Sequence, residues 1–163
     1  MSKNGGFRRL IAVKCFVTLG IFSTAVTANA GSWNGIEPLK SRRDDVLKIL
    51  GKPVREAESG TLVFGVSGGV VFVSFVDEKF VNSKKLRPDL VGTVLEIVLQ
   101  HEGSSNTPAS MKLVDNKSFV RDETANAMIF RNLKEGIAYT FLNGKLRTTR
   151  YTFSDAQLGR ARK

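Results

Sequence analysis

The chain has 163 residues, with 25 lysines and arginines against 15 aspartates and glutamates, a formal net charge of +10. A single cysteine and a single histidine exclude a disulfide framework and a Cys/His zinc cluster. An apolar content of 42% excludes a disordered chain, and the length suits one domain with its own core.

Residues 1–30 are expected to form an export signal. Lys3, Arg8 and Arg9 give a positive start, Leu10 to Val26 an apolar stretch, and Ala28-Asn29-Ala30 the small-x-small pattern that a signal peptidase cuts after. The stretch is near the lower length limit of a spanning helix, but Lys14, Thr18, Gly20, Ser23, Thr24 and Thr27 dilute it, so cleavage is expected over anchoring. Lipid attachment at Cys15 is not expected, because Lys14 stands where a small residue is needed and the apolar stretch follows the cysteine. Cleavage removes Lys3, Arg8, Arg9 and Lys14 and no acid; 25 cations less these 4 leaves 21 against 15 acids, or +6. The expected product starts at Gly31, is periplasmic or extracellular, carries no thiol, and has no further long apolar segment to cross a membrane. Its residual charge favours anionic partners such as lipid headgroups, wall polymers or acidic proteins. Nucleic acid is not an expected partner, since export removes the usual target.

In Ser41 to Pro53 the sequence predicts a helix. Ser41 is the expected N-cap, Asp44 stands three residues on as in a capping box, and Asp44 and Asp45 complement the positive helix end. Val46, Leu47, Ile49 and Leu50 make an apolar face, Gly51 suits a left-handed C-terminal cap, and Pro53 prevents continuation. Trp33, Ile36 and Leu39 are expected on the same core. The period then changes. Thr61 to Val66 and Val70 to Val76 read as strands joined at Ser67-Gly68-Gly69, the second apolar on both faces apart from Ser74 and therefore central. Asp77 to Leu90 reads as a polar connection, and Thr93 to Gln100 as a third strand with Leu95, Ile97 and Leu99 on one face. His101 to Ser110 reads as loop, with Pro108 opening a short helix to Val114. Asn126 to Arg131 is a further strand. Gly136 to Leu142 and Lys145 to Phe153 form a hairpin about Asn143-Gly144. A plain two-residue turn there pairs Phe141 with Leu146 and Tyr139 with Thr148, putting Ile137, Tyr139, Phe141 and Leu146 on one face. Thr140, Lys145, Arg147 and Thr149 then take the other, with Tyr151 beside Arg147. Residues 156–163 are expected to be a mobile basic tail.

The expected fold class is α+β: one antiparallel sheet domain, 31–155, with one or two short helices packed on it. Segments 41–100 and 107–153 each read as a helix followed by about three strands, which raises an internal duplication.

Few residues point to catalysis. His101 has Ser104 and Ser105 nearby, but no Gly-x-Ser-x-Gly elbow accompanies them, and a zinc site would need three carboxylates around the one imidazole. The acid pairs Asp44-Asp45, Asp77-Glu78 and Asp122-Glu123 raise a carboxylate hydrolase, although helix capping explains the first pair. Gly65 to Gly69 precedes a strand, not a helix, and so is a turn and not a phosphate cradle. Lys84, Lys85, Arg87 and Arg147, with Arg150 and the Arg160-Arg162-Lys163 tail, are the candidate anion contacts. Too few aromatics are interleaved for base stacking. No cofactor, metal or catalytic residue is expected.

Val46 to Pro53, with the strands at Thr61–Val66 and Val70–Val76, resembles the small outer-membrane assembly lipoproteins of the SmpA/OmlA (BamE-like) type over about the first half of the mature chain. Trp33-Asn34-Gly35-Ile36-Glu37-Pro38-Leu39-Lys40-Ser41-Arg42-Arg43, Val91 to Ile97 and Gly136 to Tyr139 resemble a group of exported bacterial proteins sharing Trp-x-Gly-Ile-x-Pro-Leu-x-Ser-x-Arg. These resemblances imply an envelope protein of α+β form and carry over no catalytic residues. The expected function is an exported, non-enzymatic protein acting through protein or surface contacts; the alternatives are a polyanion- or cell-wall-binding module and a small secreted hydrolase.

Overall fold

The computed structural model describes residues 31–162. The export signal, its cleavage pair Ala28 and Ala30, Cys15 and Lys163 lie outside the described residues.

Eight strands form one antiparallel sheet in the order β1-β2-β3-β4-β8-β7-β6-β5. They are β1 (Arg55–Glu56), β2 (Leu62–Val66), β3 (Gly69–Phe75), β4 (Val94–His101), β5 (Val120–Glu123), β6 (Ala127–Asn132), β7 (Ile137–Leu142) and β8 (Lys145–Thr152). Two four-strand meanders therefore meet along their last strands, β4 against β8. Three short helices, α1 (Arg43–Leu50), α2 (Glu78–Lys84) and α3 (Asp155–Ala161), and a 3₁₀ turn at Pro88–Leu90 complete an α+β fold.

The first helix starts one residue later than expected. Ser41 is buried and its hydroxyl accepts from the Glu37 N–H at 2.9 Å, so Arg42 is the N-cap residue and the Asp45 carboxylate accepts its N–H at 2.8 Å. Gly51 closes the helix at φ 78°, ψ −148°, outside the left-handed helical well and in a region that favours glycine. Asp77 to Leu90 is no simple connection. Asp77 accepts the Phe80 N–H at 2.7 Å and caps α2, and Lys85 ends that helix in the left-handed conformation at φ 54°. The helix expected from Pro108 to Val114 is a set of turns: Met111 and Leu113 donate to Thr107 and Pro108, and Lys112 turns left-handed at φ 54°. β5 was not expected; its Val-Arg-Asp-Glu sequence hides the strand period under charge.

Two bulges decide which residues reach the core. On β4, Ser74 faces Glu96 but Phe75 faces Val94, so Leu95 is an extra residue. Val94 thereby joins Ile97 and Leu99 in the main cluster, and Leu95 packs in a second one, correcting the expected Leu95-Ile97-Leu99 face. On β8, Phe141 faces Leu146 as expected, but Thr140 faces Thr148 and Tyr139 faces Thr149, leaving Arg147 extra. A one-residue insertion reverses every later side chain. Thr149 is consequently 3% exposed, and Tyr151 packs on the main core, where burial raises its phenol pKa.

The main cluster packs Val46 of α1 and Ile36 on Leu62, Phe64, Val71, Val73, Val94 and Ile97. A second joins Val76, Val81, Leu86, Leu90 and Ala161, with Leu39 packed against it and not against the first. The third joins Leu113, Phe130, Phe141 and Leu146, the two phenyl rings edge to face at 5.8 Å. The C-terminal segment expected as a tail is α3, capped by Ser154, whose hydroxyl accepts from Gln157 N–H at 3.2 Å while Gln157 Oε1 accepts from Ser154 N–H at 2.7 Å.

Candidate functional site

The second cluster positions a basic groove. Leu86, fully buried, follows the left-handed Lys85 and bridges to Arg162. The next N–H, that of Arg87, donates to the Ala161 carbonyl at 3.0 Å. This tie fixes the last turn of α3 beside the segment after α2. The Glu37–Lys40 segment forms a further wall, held by the Leu39 N–H to the Val94 carbonyl at 2.8 Å. The resulting groove holds about 340 Å³ and is lined by, among others, Lys40, Arg87, Gln157 and Arg160. Lys40 donates to the Glu37 carboxylate at 3.1 Å, and Arg87 Nε lies 3.5 Å from Asp89. These pairs are exposed and weak in water. The Arg160 guanidinium makes no ion pair or hydrogen bond among the described residues. Next to Leu86, Lys85 and Arg162 line a second depression of about 340 Å³.

The structure thus brings Arg87 and Lys85 into the surface built by α2 and α3. Lys84 stands exposed in the last turn of α2. Arg147 is elsewhere: it is the bulged residue of β8, donates to the His101 carbonyl at 3.4 Å, and lines a different depression with Lys145. The four candidate anion contacts do not form one patch. Lys40, from the Trp33 to Arg43 segment, and Arg160, from the expected tail, take their places in the groove.

In each acidic pair at least one carboxylate has a structural role. Asp45 and Asp77 cap helices, Asp122 pairs with Arg131, and Glu123 pairs with Arg121. Among the described residues no three His, Cys, Asp or Glu side chains converge as metal ligands. His101 is the half-buried last residue of β4 and not a loop residue. Its Nε2 meets Thr149 Oγ1 at 2.9 Å, and burial lowers its pKa by disfavouring the charged imidazolium. Ser104 Oγ accepts from the Asn106 N–H; no hydrogen bond links Ser104 or Ser105 to His101 among the described residues.

A further concavity, of about 490 Å³, opens at the turn end of β2 and β3 between Trp33, Leu50, Val66, Leu99 and His101. Trp33 packs against the main cluster, as expected, and also lines this concavity. Its position follows from Asn34 and Gly35, both at positive φ (50° and 81°), which close a tight turn with Trp33 and Ile36 exchanging N–H···O bonds of 3.0 and 2.9 Å. Asn34-Gly35 is the same turn signal as Asn143-Gly144 and was legible in the sequence.

Comparison with protein-family models, curated proteins and solved structures finds no match. Among the described residues, no helix is long and apolar enough to cross a membrane.

Proposed function

We propose that the chain is an exported envelope protein that works by contact and not by catalysis, its mature domain docking an anionic surface through the groove between α2, α3 and the Glu37–Lys40 segment. One observation carries this reading: Arg87 and Arg160, 73 residues apart in sequence, line one groove, and the Arg160 guanidinium has no ion-pair partner among the described residues. Guanidinium groups suit phosphate and carboxylate oxygens because they offer a planar fork of donors. The net charge of +6 expected after processing adds long-range attraction for the same partners. The engagement of Asp45, Asp77, Asp122 and Glu123 in caps and ion pairs weighs against a carboxylate hydrolase.

The reading is tested by sedimentation of the mature chain with vesicles containing phosphatidylglycerol and with neutral phosphatidylcholine vesicles. Binding to the anionic vesicles alone, lost on Arg87→Glu/Arg160→Glu, supports it. Equal binding to both kinds of vesicle, or binding that survives the double substitution, removes it. Export is tested by the mass of the protein recovered from the periplasm or medium, which should begin at Gly31. The hydrolase alternative predicts loss of function in the native host on Glu78→Gln or His101→Gln; contact function predicts none.

A further inference from the structure

The concavity beside Trp33 differs in chemistry from the basic groove. Its apolar lining comes from Trp33, Leu50, Val66, Val70 and Leu99, and no Lys, Arg, Asp or Glu lines it. Its polar lining is uncharged, from Asn34, Ser67, Gln100 and His101. Gly68 and Gly69 leave the hairpin wall bare of side chains, and a Cβ at Gly69 would collide with the Gln100 carbonyl oxygen. His101 uses Nε2 on Thr149, and no hydrogen bond engages its Nδ1 among the described residues. The volume, about 490 Å³, falls within the range of small-molecule sites.

We infer that this cavity binds a neutral saccharide, one sugar ring lying on the Trp33 indole with its hydroxyls facing Asn34, Ser67 and His101. A pyranose has an apolar C–H face and a rim of hydroxyls that both donate and accept, which matches an indole floor edged by amide, hydroxyl and imidazole groups. An ionic ligand would find no counter-charge here. An apolar peptide side chain would cover the apolar lining but leave the polar groups desolvated and unpaired, which is unfavourable. The inference does not rest on the basic groove, and the two sites respond oppositely to salt: screening weakens the groove and leaves a neutral site unchanged.

Trp33 is the only tryptophan, so intrinsic fluorescence reports on the site alone. The mature chain is titrated with the β-1,4-linked tetramer of N-acetylglucosamine, with cellotetraose, and with a capped Leu-Phe-Leu peptide. The expected result is a saturable change in Trp33 emission with at least one sugar, equal at low and high salt. Ser67→Arg, at an exposed turn residue with no hydrogen bond of its own among the described residues, should weaken it by about tenfold without moving the unfolding midpoint. No change with either sugar, a change with the peptide alone, or full binding by Ser67→Arg would overturn the inference. A protein that fails at the basic groove but binds sugar in this way leaves it standing.

Discussion

The backbone N–H of Arg87 donates to the carbonyl of Ala161 at 3.0 Å, and this bond ties together the segments that carry Arg87 and Arg160. Ala161 is 5% exposed and Leu86, next to Arg87, is fully buried. The charged rim is therefore held by an apolar cluster beneath it.

Leu86→Ala should lower stability by about 2–5 kcal/mol, since it opens a cavity in that cluster. It should also loosen α3. Denaturant unfolding gives the first effect, and amide exchange at residues 155–161 the second. Protection in α3 that is unchanged relative to β6 and β7 would show that α3 does not depend on the cluster.

Ser154→Ala removes one half of the box that starts α3, the hydroxyl that accepts the Gln157 N–H. The expected loss is about 1 kcal/mol. Vesicle binding should fall with it at temperatures where α3 frays, while Ser154→Asp should retain both. Circular dichroism melts with parallel binding measurements check this.

The bulge at Arg147 makes a sharper prediction. Arg147→Ala keeps the extra residue and should change stability by less than about 0.5 kcal/mol, as an exposed substitution. Deleting Arg147 restores the plain two-residue register and turns Thr149 and Tyr151 away from the core. The deletion should unfold the protein or cost several times more than the substitution. Equal effects of the two changes would contradict the register.

Ser74 is the polar exception in β3, and its hydroxyl is buried without a hydrogen-bond partner among the described residues. Replacing such a group by a methyl removes a desolvated donor at little packing cost. Ser74→Ala should therefore stabilise by about 1 kcal/mol, read as a raised unfolding midpoint.

Burial holds the His101 imidazole below its usual pKa. The unfolded chain then takes up a proton more readily than the folded one. The His101 contribution to stability is present above the unfolded value, about 6.5, and is lost as pH falls from there toward the folded value. Urea midpoints at pH 7.5 and 5.5 should differ more for the native chain than for His101→Gln. An identical drop in both would remove His101 as the cause.

Local chemistry made much of the fold legible. Asn143-Gly144 identified its hairpin, Gly51-Lys52-Pro53 ended the first helix, and the apolar run Val70 to Phe75 marked an inner strand. The parts that escaped have physical reasons. α2 has a clear cap in Asp77, but Lys79, Lys84 and Lys85 dilute its apolar stripe to Phe80 and Val81. Neither bulge has a local signal, because register there is set by what must be buried several residues on. The groove was legible only as scattered cations. Arg87 stood in a polar connection and Arg160 in a tail, and the bond from Arg87 to Ala161 that unites them is long-range.

The central claim is that the groove cations, and not charge spread over the whole surface, capture an anionic partner. The most direct measurement is the salt dependence of mature-chain binding to phosphatidylglycerol vesicles for the native protein, for Arg87→Glu/Arg160→Glu, and for Lys112→Glu/Lys117→Glu, which reverses two exposed lysines outside the groove. The account predicts binding that weakens steeply between about 50 and 500 mM salt, survives reversal of Lys112 and Lys117, and is abolished by reversal of Arg87 and Arg160. Equal losses from the two double reversals, or binding indifferent to salt, would contradict it.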